Sequence, residues 1–242
     1  VIMLMRIVAV LIGYAFGNFQ TSVFVGRKQG INIREHGSGN AGTTNALRVM
    51  GSKAGIITFI GDLGKMMLAY LVVWLIFGQG HPEYTLLLKL YTGLGVVLGH
   101  DFPVILGFRG GKGIAVTAGM LILLGWRTTV VGVILFLGTL ALTHLVSLGS
   151  LLLVTLDSGF ALFLASKGII DKGAMSLTEM AVILGVIWLL DVALHLPNIK
   201  RLLTGTENKI FLSAYAKKRN DKHMEKKAEH REARDAEKEQ KP

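Results

Sequence analysis

Residues 54–77 read AGIITFIGDLGKMMLAYLVVWLIF, 24 positions with only two charges, Asp62 and Lys65. About 20 consecutive apolar residues let an α-helix cross the hydrocarbon core of a bilayer, whereas helices in soluble domains are usually shorter. Asp62 and Lys65 stand three apart, on one face of such a helix. An ionisable group at membrane depth costs about 2.5–3.5 kcal/mol on insertion scales, so the two must pair or serve a site, and pairing is the simpler expectation. The fold class that follows is all-α, a polytopic membrane protein.

Six further stretches share this character: 3–25, 85–104, 114–125, 128–146, 148–165 and 177–196. The one at 114–125 has about a dozen apolar residues, short enough for a half-helix or a re-entrant piece. The expectation is about seven transmembrane helices, one of them short or broken. The run at 1–25 is about twice as long as a signal-peptide core, and no small-residue cleavage site precedes a soluble domain, so it reads as a span.

Composition agrees once it is divided. The chain has 242 residues, 51% hydrophobic and 17% charged, with a net charge of +10. Of its 42 charged residues (26 basic, 16 acidic), 21 lie from Asn198 onward, 13 basic and 8 acidic, so the first 197 residues hold only the other 21. Globular chains run near a quarter charged, and this body has too little polar surface to face water. The division suggests an integral membrane catalytic domain at 1–200 and a charged cytoplasmic C-terminal tail at 201–242. From Lys217 the tail is nearly all charged, with acids and bases at helical spacing, and reads as a solvated tail. Its His230 and Asp235 share a spacing used by one class of acyltransferases, but no apolar wall surrounds them to exclude water.

Lys and Arg in the connections set orientation. Arg27, Lys28, Arg34, Arg48 and Lys53 follow the first span, whereas residues 78–84 after the second carry no Lys or Arg. The positive-inside rule then puts the N-terminus outside and the connection bearing Arg109 and Lys112 in the cytoplasm. An odd number of crossings brings the basic tail inside as well. Lys167 and Lys172 fall in an outer loop, a modest violation of the rule. The basic excess is thus an orientation signal, and nucleic acid is not expected as a partner. Without cysteine there are no disulfides, thiolate metal sites or cysteine nucleophiles. The scattered histidines form no zinc motif, and no metal or cofactor is expected.

Four polar stretches fall on the inferred cytoplasmic side. In Ser38-Gly39-Asn40-Ala41-Gly42-Thr43-Thr44-Asn45-Ala46-Leu47-Arg48, small residues let backbone amides approach a ligand. A helix starting near Thr43 would put Asn45 and Arg48 on one face and offer its first N–H groups to an anion. The bland alternative is a flexible loop with a positive-inside arginine. Gly99-His100-Asp101-Phe102-Pro103 leads to Phe108-Arg109-Gly110-Gly111-Lys112-Gly113, a glycine-rich turn bearing lysine at the mouth of a helix. That arrangement can cradle phosphate. It is not a Walker A loop, because Leu106 stands at the first glycine position and Gly113 at the magnesium-binding Ser or Thr. A plain positive-inside turn is the competing reading, and His100 and Asp101 read as capping or loop residues.

The third stretch, Thr143 to Ser150, interrupts two spans, and its serines read as helix caps or phosphate ligands. No Gly-x-Ser-x-Gly elbow occurs, which leaves a serine nucleophile unsupported. The fourth contains His195, Asn198, Lys200, Arg201, Gly205 and Glu207, with Pro197 ending or bending the helix between His195 and Asn198. Histidine is the natural proton carrier near neutral pH, and Asn can orient a hydroxyl. Lys200 and Arg201 also suit membrane-edge anchoring. Asp157 and Asp191 have no evident partner in the sequence.

Together these stretches resemble one family, the bacterial membrane glycerol-3-phosphate acyltransferases that use acyl-phosphate as donor. Ser38-Gly39-Asn40 with Asn45 and Arg48 matches the first family motif. Gly99-His100, Pro103 and Phe108 through Gly110-Gly111-Lys112-Gly113 match the second, and His195, Asn198, Arg201, Gly205 and Glu207 the third. The chain departs at Leu194, where a basic residue is common, and at Ile114-Ala115-Val116, which lacks a usual hydroxyl, leaving Thr117 as a substitute. The resemblance implies a seven-span enzyme of the bacterial plasma membrane with its site on the cytoplasmic side. It would transfer a fatty acyl group from acyl-phosphate to the sn-1 hydroxyl of glycerol 3-phosphate, giving lysophosphatidic acid and phosphate for phospholipid biosynthesis. Carried over by position, His195, Ser38 and Asn198 would be catalytic. Asn40, Asn45, Arg48, Gly110, Gly111, Lys112, Gly113, Ser150, Arg201 and Glu207 would bind substrate or phosphate.

An activated mixed anhydride needs no covalent nucleophile, so positioning and charge stabilisation would carry the rate. Arg48 and Lys112 would hold phosphate, amides of both glycine-rich turns would complete the cradle, and the acyl tail would be reached from the lipid. Either His195 or the leaving phosphate would take the hydroxyl proton. The rival class is an anion transporter with broken helices at its site. A non-catalytic scaffold is a third option, which leaves the phosphate-type motifs unexplained.

Overall fold

Long apolar stretches in lipid must satisfy every backbone group internally, and the chain does so as helix. A computed structural model describes residues 1–211, helical with no strand among them; the tail from Lys217, with His230 and Asp235, lies outside the described residues. Among the described residues, five helices are long and apolar enough to cross a membrane: Ile2–Lys28, Ser52–Gly78, Trp126–Thr143, Val146–Ser166 and Leu177–Leu194.

The first of these is interrupted, unlike the continuous span expected. Helix α1 (Ile2–Gly17) stops, the chain extends at Gln20, and α2 (Thr21–Lys28) begins. Carbonyls exposed by a break need donors. Lys65 Nζ supplies them to Gly17 (3.3 Å) and Phe19 (2.9 Å), and Gln20 Nε2 reaches Gly17 at 3.2 Å. Lys65 sits in α4 (Ser52–Val73), one turn from Asp62, and the expected pair forms at 3.2 Å with both side chains buried.

Between α2 and α4 lies the short α3 (Thr43–Met50), starting where the sequence suggested. Helix α5 (Thr85–Asp101) packs along α1 backbone to backbone. Gly13 and Gly17 on α1 face Gly95 and Gly99 on α5; a Cβ on Gly95 would lie 2.2 Å from the Val10 carbonyl oxygen, and one on Gly99 2.2 Å from that of Tyr14. Both helices carry the Gly-x-x-x-Gly spacing that permits such approach.

Helix α6 (Ile114–Leu124) is the short element foreseen at 114–125. At 1.5 Å per residue its 11 residues span about 16 Å, against a core of about 30 Å. Glycines with positive φ, Gly113 (75°) and Gly125 (139°), bracket it. Helix α7 (Trp126–Val133) continues through a π turn into α8 (Thr139–Thr143), and α9 (Val146–Leu152) likewise into α10 (Ser158–Ser166). A capping bond from Glu179 N–H to Ser176 Oγ at 3.0 Å starts α11 (Leu177–Leu194). His195 closes it, and α12 (Leu196–Leu203) follows with Pro197 in its first turn, where a missing N–H costs nothing. The packed chain runs on past residue 203: Ile210 N–H donates to His144 O at 2.8 Å, and the Phe211 and His144 rings lie 4.7 Å apart.

Candidate active site

The C-terminal carbonyls of α5 lack helical partners, and the following loop folds back to meet them. Gly110 N–H donates to Asp101 O at 3.0 Å and Gly111 N–H to His100 O at 2.9 Å. Only glycine fits, because a Cβ on Gly110 would lie 1.9 Å from the His100 carbonyl oxygen and one on Gly111 1.9 Å from His100 Nε2. These two amides are therefore unavailable to a phosphate, which corrects the expectation that they line the cradle. What the turn offers instead is the Lys112 side chain and the free first N–H groups of α6, whose first internal acceptor is the Gly113 carbonyl, bonded by Thr117 N–H at 2.8 Å.

The first motif is a loop braced from within. Asn45 Oδ1 accepts from Ser38 N–H (2.9 Å), while its Nδ2 donates to the carbonyls of Ile33 (3.1 Å) and His36 (3.0 Å). Asn45 is 2% exposed, so it shapes the loop and does not face a ligand as the sequence suggested. Ser38 and Arg48 are exposed and Asn40 half-buried. A bond from Ala41 N–H to Gly110 O at 3.4 Å ties this loop to the second motif.

The second and third motifs meet through side chains. Lys112 Nζ donates to Asn198 Oδ1. Asn198 Nδ2 donates to Glu207 Oε1 at 2.9 Å, and Arg201 Nε to Glu207 Oε2 at 2.8 Å. Four expected residues thus form one continuous chain, 86 positions apart in sequence at its first link. Burial pushes the Lys112 ammonium down to about 8, with Arg201 adding to the shift and Glu207 opposing it.

His195 stands beside this chain, with Nδ1 2.7 Å from the Asp191 carbonyl oxygen. A carbonyl only accepts, so Nδ1 carries the hydrogen and Nε2 keeps a lone pair. Burial lowers its pKa to about 4; the hydrogen bond to Asp191 opposes the shift, Lys112 adds to it and Glu207 opposes it. Near neutral pH the ring is an uncharged acceptor.

Several buried residues without a sequence-level role hold the motifs in register. Asp191 Oδ2 accepts from Thr117 Oγ1 at 3.0 Å, locking α11 to α6. Thr117 is thereby engaged away from any phosphate, and Gly113 must be glycine because a Cβ there would lie 2.3 Å from Asp191 Oδ1. His100 and Asp101 are the buried last residues of α5, neither loop nor capping residues. A signal was present in the rarity of carboxylates inside apolar spans. Ser150 lies inside α9, its Oγ donating to Val146 O at 2.9 Å, so it does not cap a helix; among the described residues its side chain bonds to none of the other expected site residues.

Fold and motifs together define a class: a helical protein with several apolar helices long enough to cross a membrane, whose three polar motifs are joined by hydrogen bonds. A family model for glycerol-3-phosphate acyltransferase matches residues 7–205, and the chain belongs to that family. The glycerol-3-phosphate acyltransferase of Exiguobacterium sibiricum is 39% identical over 220 residues, covering 90% of this chain and 100% of that one. That of Alkaliphilus metalliredigens is 37% identical over 208 residues, 86% of this chain and 97% of its own. Among solved structures, PlsY (YgiH), an integral membrane glycerol 3-phosphate acyltransferase, superposes in its glycerol 3-phosphate form with a TM-score of 0.72 at 30% identity, over 85% of this chain and 96% of that one. Its lysophosphatidic acid form gives 0.70 at the same identity, over 85% and 95% of the two chains.

Proposed function

We infer that this chain transfers a fatty acyl group from acyl-phosphate to the sn-1 hydroxyl of glycerol 3-phosphate, releasing lysophosphatidic acid and inorganic phosphate in a bacterial plasma membrane. The observation that carries the reading is the Lys112–Asn198–Glu207–Arg201 chain beside a neutral His195, supported by membership of the family. Seven crossings with the N-terminus outside bring the three motifs to the cytoplasmic face, in keeping with their bases. The membrane body extends on this view through the packed segment to residue 211, with the charged tail beyond it.

Lys112, Arg48 and Arg201 hold phosphate oxygens, and the first amides of α6 add donors. Ser38, Asn40 and Asn198 orient glycerol 3-phosphate, with Glu207 holding Asn198 and Asn45 shaping the loop that presents Ser38 and Asn40. Ser150, on a helix packed against α12, lines the periphery of the site. The attacking hydroxyl oxygen bonds to the acyl carbon as the bond from that carbon to the phosphate oxygen breaks. His195 Nε2 accepts the hydroxyl hydrogen bond and aligns it. With a pKa of about 4 the imidazole is a weak base, and the departing phosphate takes the proton.

The test supplies the purified full chain with acyl-phosphate and labelled glycerol 3-phosphate and scores lysophosphatidic acid, with a parallel measure of uptake into vesicles. Product without uptake is expected; uptake without product would make the protein a transporter. His195→Ala should raise KM while kcat falls less than about tenfold. A kcat loss of about 10²-fold or more, the usual worth of a general base, would return that role to His195.

A further inference from the structure

Behind the Gly110-Gly111 turn lies a buried group the mechanism above leaves unused. Lys65 Nζ is surrounded by acceptors: the carbonyls of Gly17 (3.3 Å) and Phe19 (2.9 Å), Asp62 Oδ1 (3.2 Å) and His100 Nδ1 (2.7 Å). Asp62, Lys65 and His100 are 1%, 4% and 2% exposed. An ammonium can only donate, so His100 Nδ1 accepts and the imidazole hydrogen sits on Nε2. Thr21 Oγ1 donates to the same Asp62 oxygen at 3.2 Å, and Gln20 Nε2 donates to the His100 carbonyl at 3.0 Å, which fixes the ring's backbone as well.

The other edge of this ring reaches the glycine turn, since His100 Nε2 would touch a Cβ on Gly111 at 1.9 Å. Among the described residues Nε2 has no hydrogen-bond partner, and unlike the sealed oxygens of Asp101 it is not shut off from solvent. The next residue along the turn is Lys112. An N–H donor held in one tautomer, without a protein partner and beside a lysine that faces the anion site, is placed to meet an oxyanion.

We propose that His100 is a phosphate-binding residue of this site, its Nε2–H donating to a substrate phosphate oxygen at the Gly111 turn, with Lys65 and Asp62 as positioning residues that hold the ring and its tautomer. The proposal rests on the acyltransferase reading for the identity of the phosphate, though not for its chemistry. It also gives the expensive burial of the Asp62–Lys65 pair a purpose beyond sealing the helix break.

The test is ¹⁵N NMR of the full chain labelled in its histidine rings, with His100 assigned by the resonance lost in His100→Gln. The expected spectrum has a protonated Nε2 and a bare Nδ1, and the Nε2 resonance moves on addition of glycerol 3-phosphate or of inorganic phosphate. A protonated Nδ1, or an Nε2 unmoved at saturating ligand, overturns the proposal. In kinetics, His100→Leu should raise the KM for glycerol 3-phosphate by about tenfold, the worth of one hydrogen bond to a charged group, with kcat much less affected. His100→Gln, which can place an N–H near the same point, should recover most of that loss; equal loss in both variants counts against the donor role. A wild-type chain whose Nε2 responds to phosphate but which makes no lysophosphatidic acid would support the binding role and sink the acyltransferase reading.

Discussion

At Lys112, burial and the Arg201 guanidinium hold the ammonium pKa at about 8, with Glu207 opposing them. A lysine is charged below its pKa and neutral above it. The KM for glycerol 3-phosphate should therefore be level between about pH 7 and 8 and rise above pH 8, approaching tenfold per unit. Lys112→Arg keeps its charge over that range, so its KM, though higher at the start, should stay level to about pH 9.5. Steady-state kinetics across pH would check both. Asn45 behaves differently, since it works through the loop. Asn45→Ala removes three hydrogen bonds, one buried and two part-buried, and should lower stability by about 2–3 kcal/mol along with activity, measured by thermal unfolding in detergent. Residue type alone picked out both positions, yet it could not tell a ligand contact from a loop brace. That distinction depends on where Ile33 and His36 place their carbonyls.

Among the elements, the glycine turn after α5 and the α1–α5 contact are the most demanding. Gly110→Ala and Gly111→Ala would drive a methyl group into His100 and should both raise KM and lower the melting temperature. Gly107 offers a control in the same loop: its φ is 65° but nothing lies within 4 Å of a Cβ there, so Gly107→Ala should cost only about 1 kcal/mol of backbone strain. If all three variants behave alike, the fold-back of the turn onto α5 is not what selects glycine. Gly95→Leu should separate α1 from α5 and reduce the folded yield, read by size-exclusion chromatography. Spacing alone does not match Gly13 and Gly17 to Gly95 and Gly99; that match required knowing that α1 and α5 are neighbours. The break at residues 18–20 was hidden because an apolar stretch reads as continuous; its polar Asn18 and Gln20 matter only once Lys65 arrives to satisfy the freed carbonyls.

For the whole molecule, the absence of native cysteine allows orientation to be measured directly. Single cysteines at His81 and at Arg109 should label from opposite faces of intact cells with an impermeant maleimide, His81→Cys from outside and Arg109→Cys only after permeabilisation. Labelling of both from one side would refute the seven-crossing arrangement. The sequence by itself determined that the chain is a helical membrane protein, because lipid tolerates only long apolar helices and scarce charge. Its motifs, through their resemblance to one family, also singled out Lys112, His195, Asn198 and Glu207 as candidates for the site. Only the tertiary structure decided which polar atoms are still free for a substrate. Asn45, Thr117 and the amides of Gly110 and Gly111 are engaged by protein atoms, whereas the start of α6 and the Nε2 edge of His100 are not, and Lys112 spends one of its three ammonium hydrogens on Asn198. Hydrogen bonds act over about 3 Å, and their partners come from helices that no local pattern in the chain brings together.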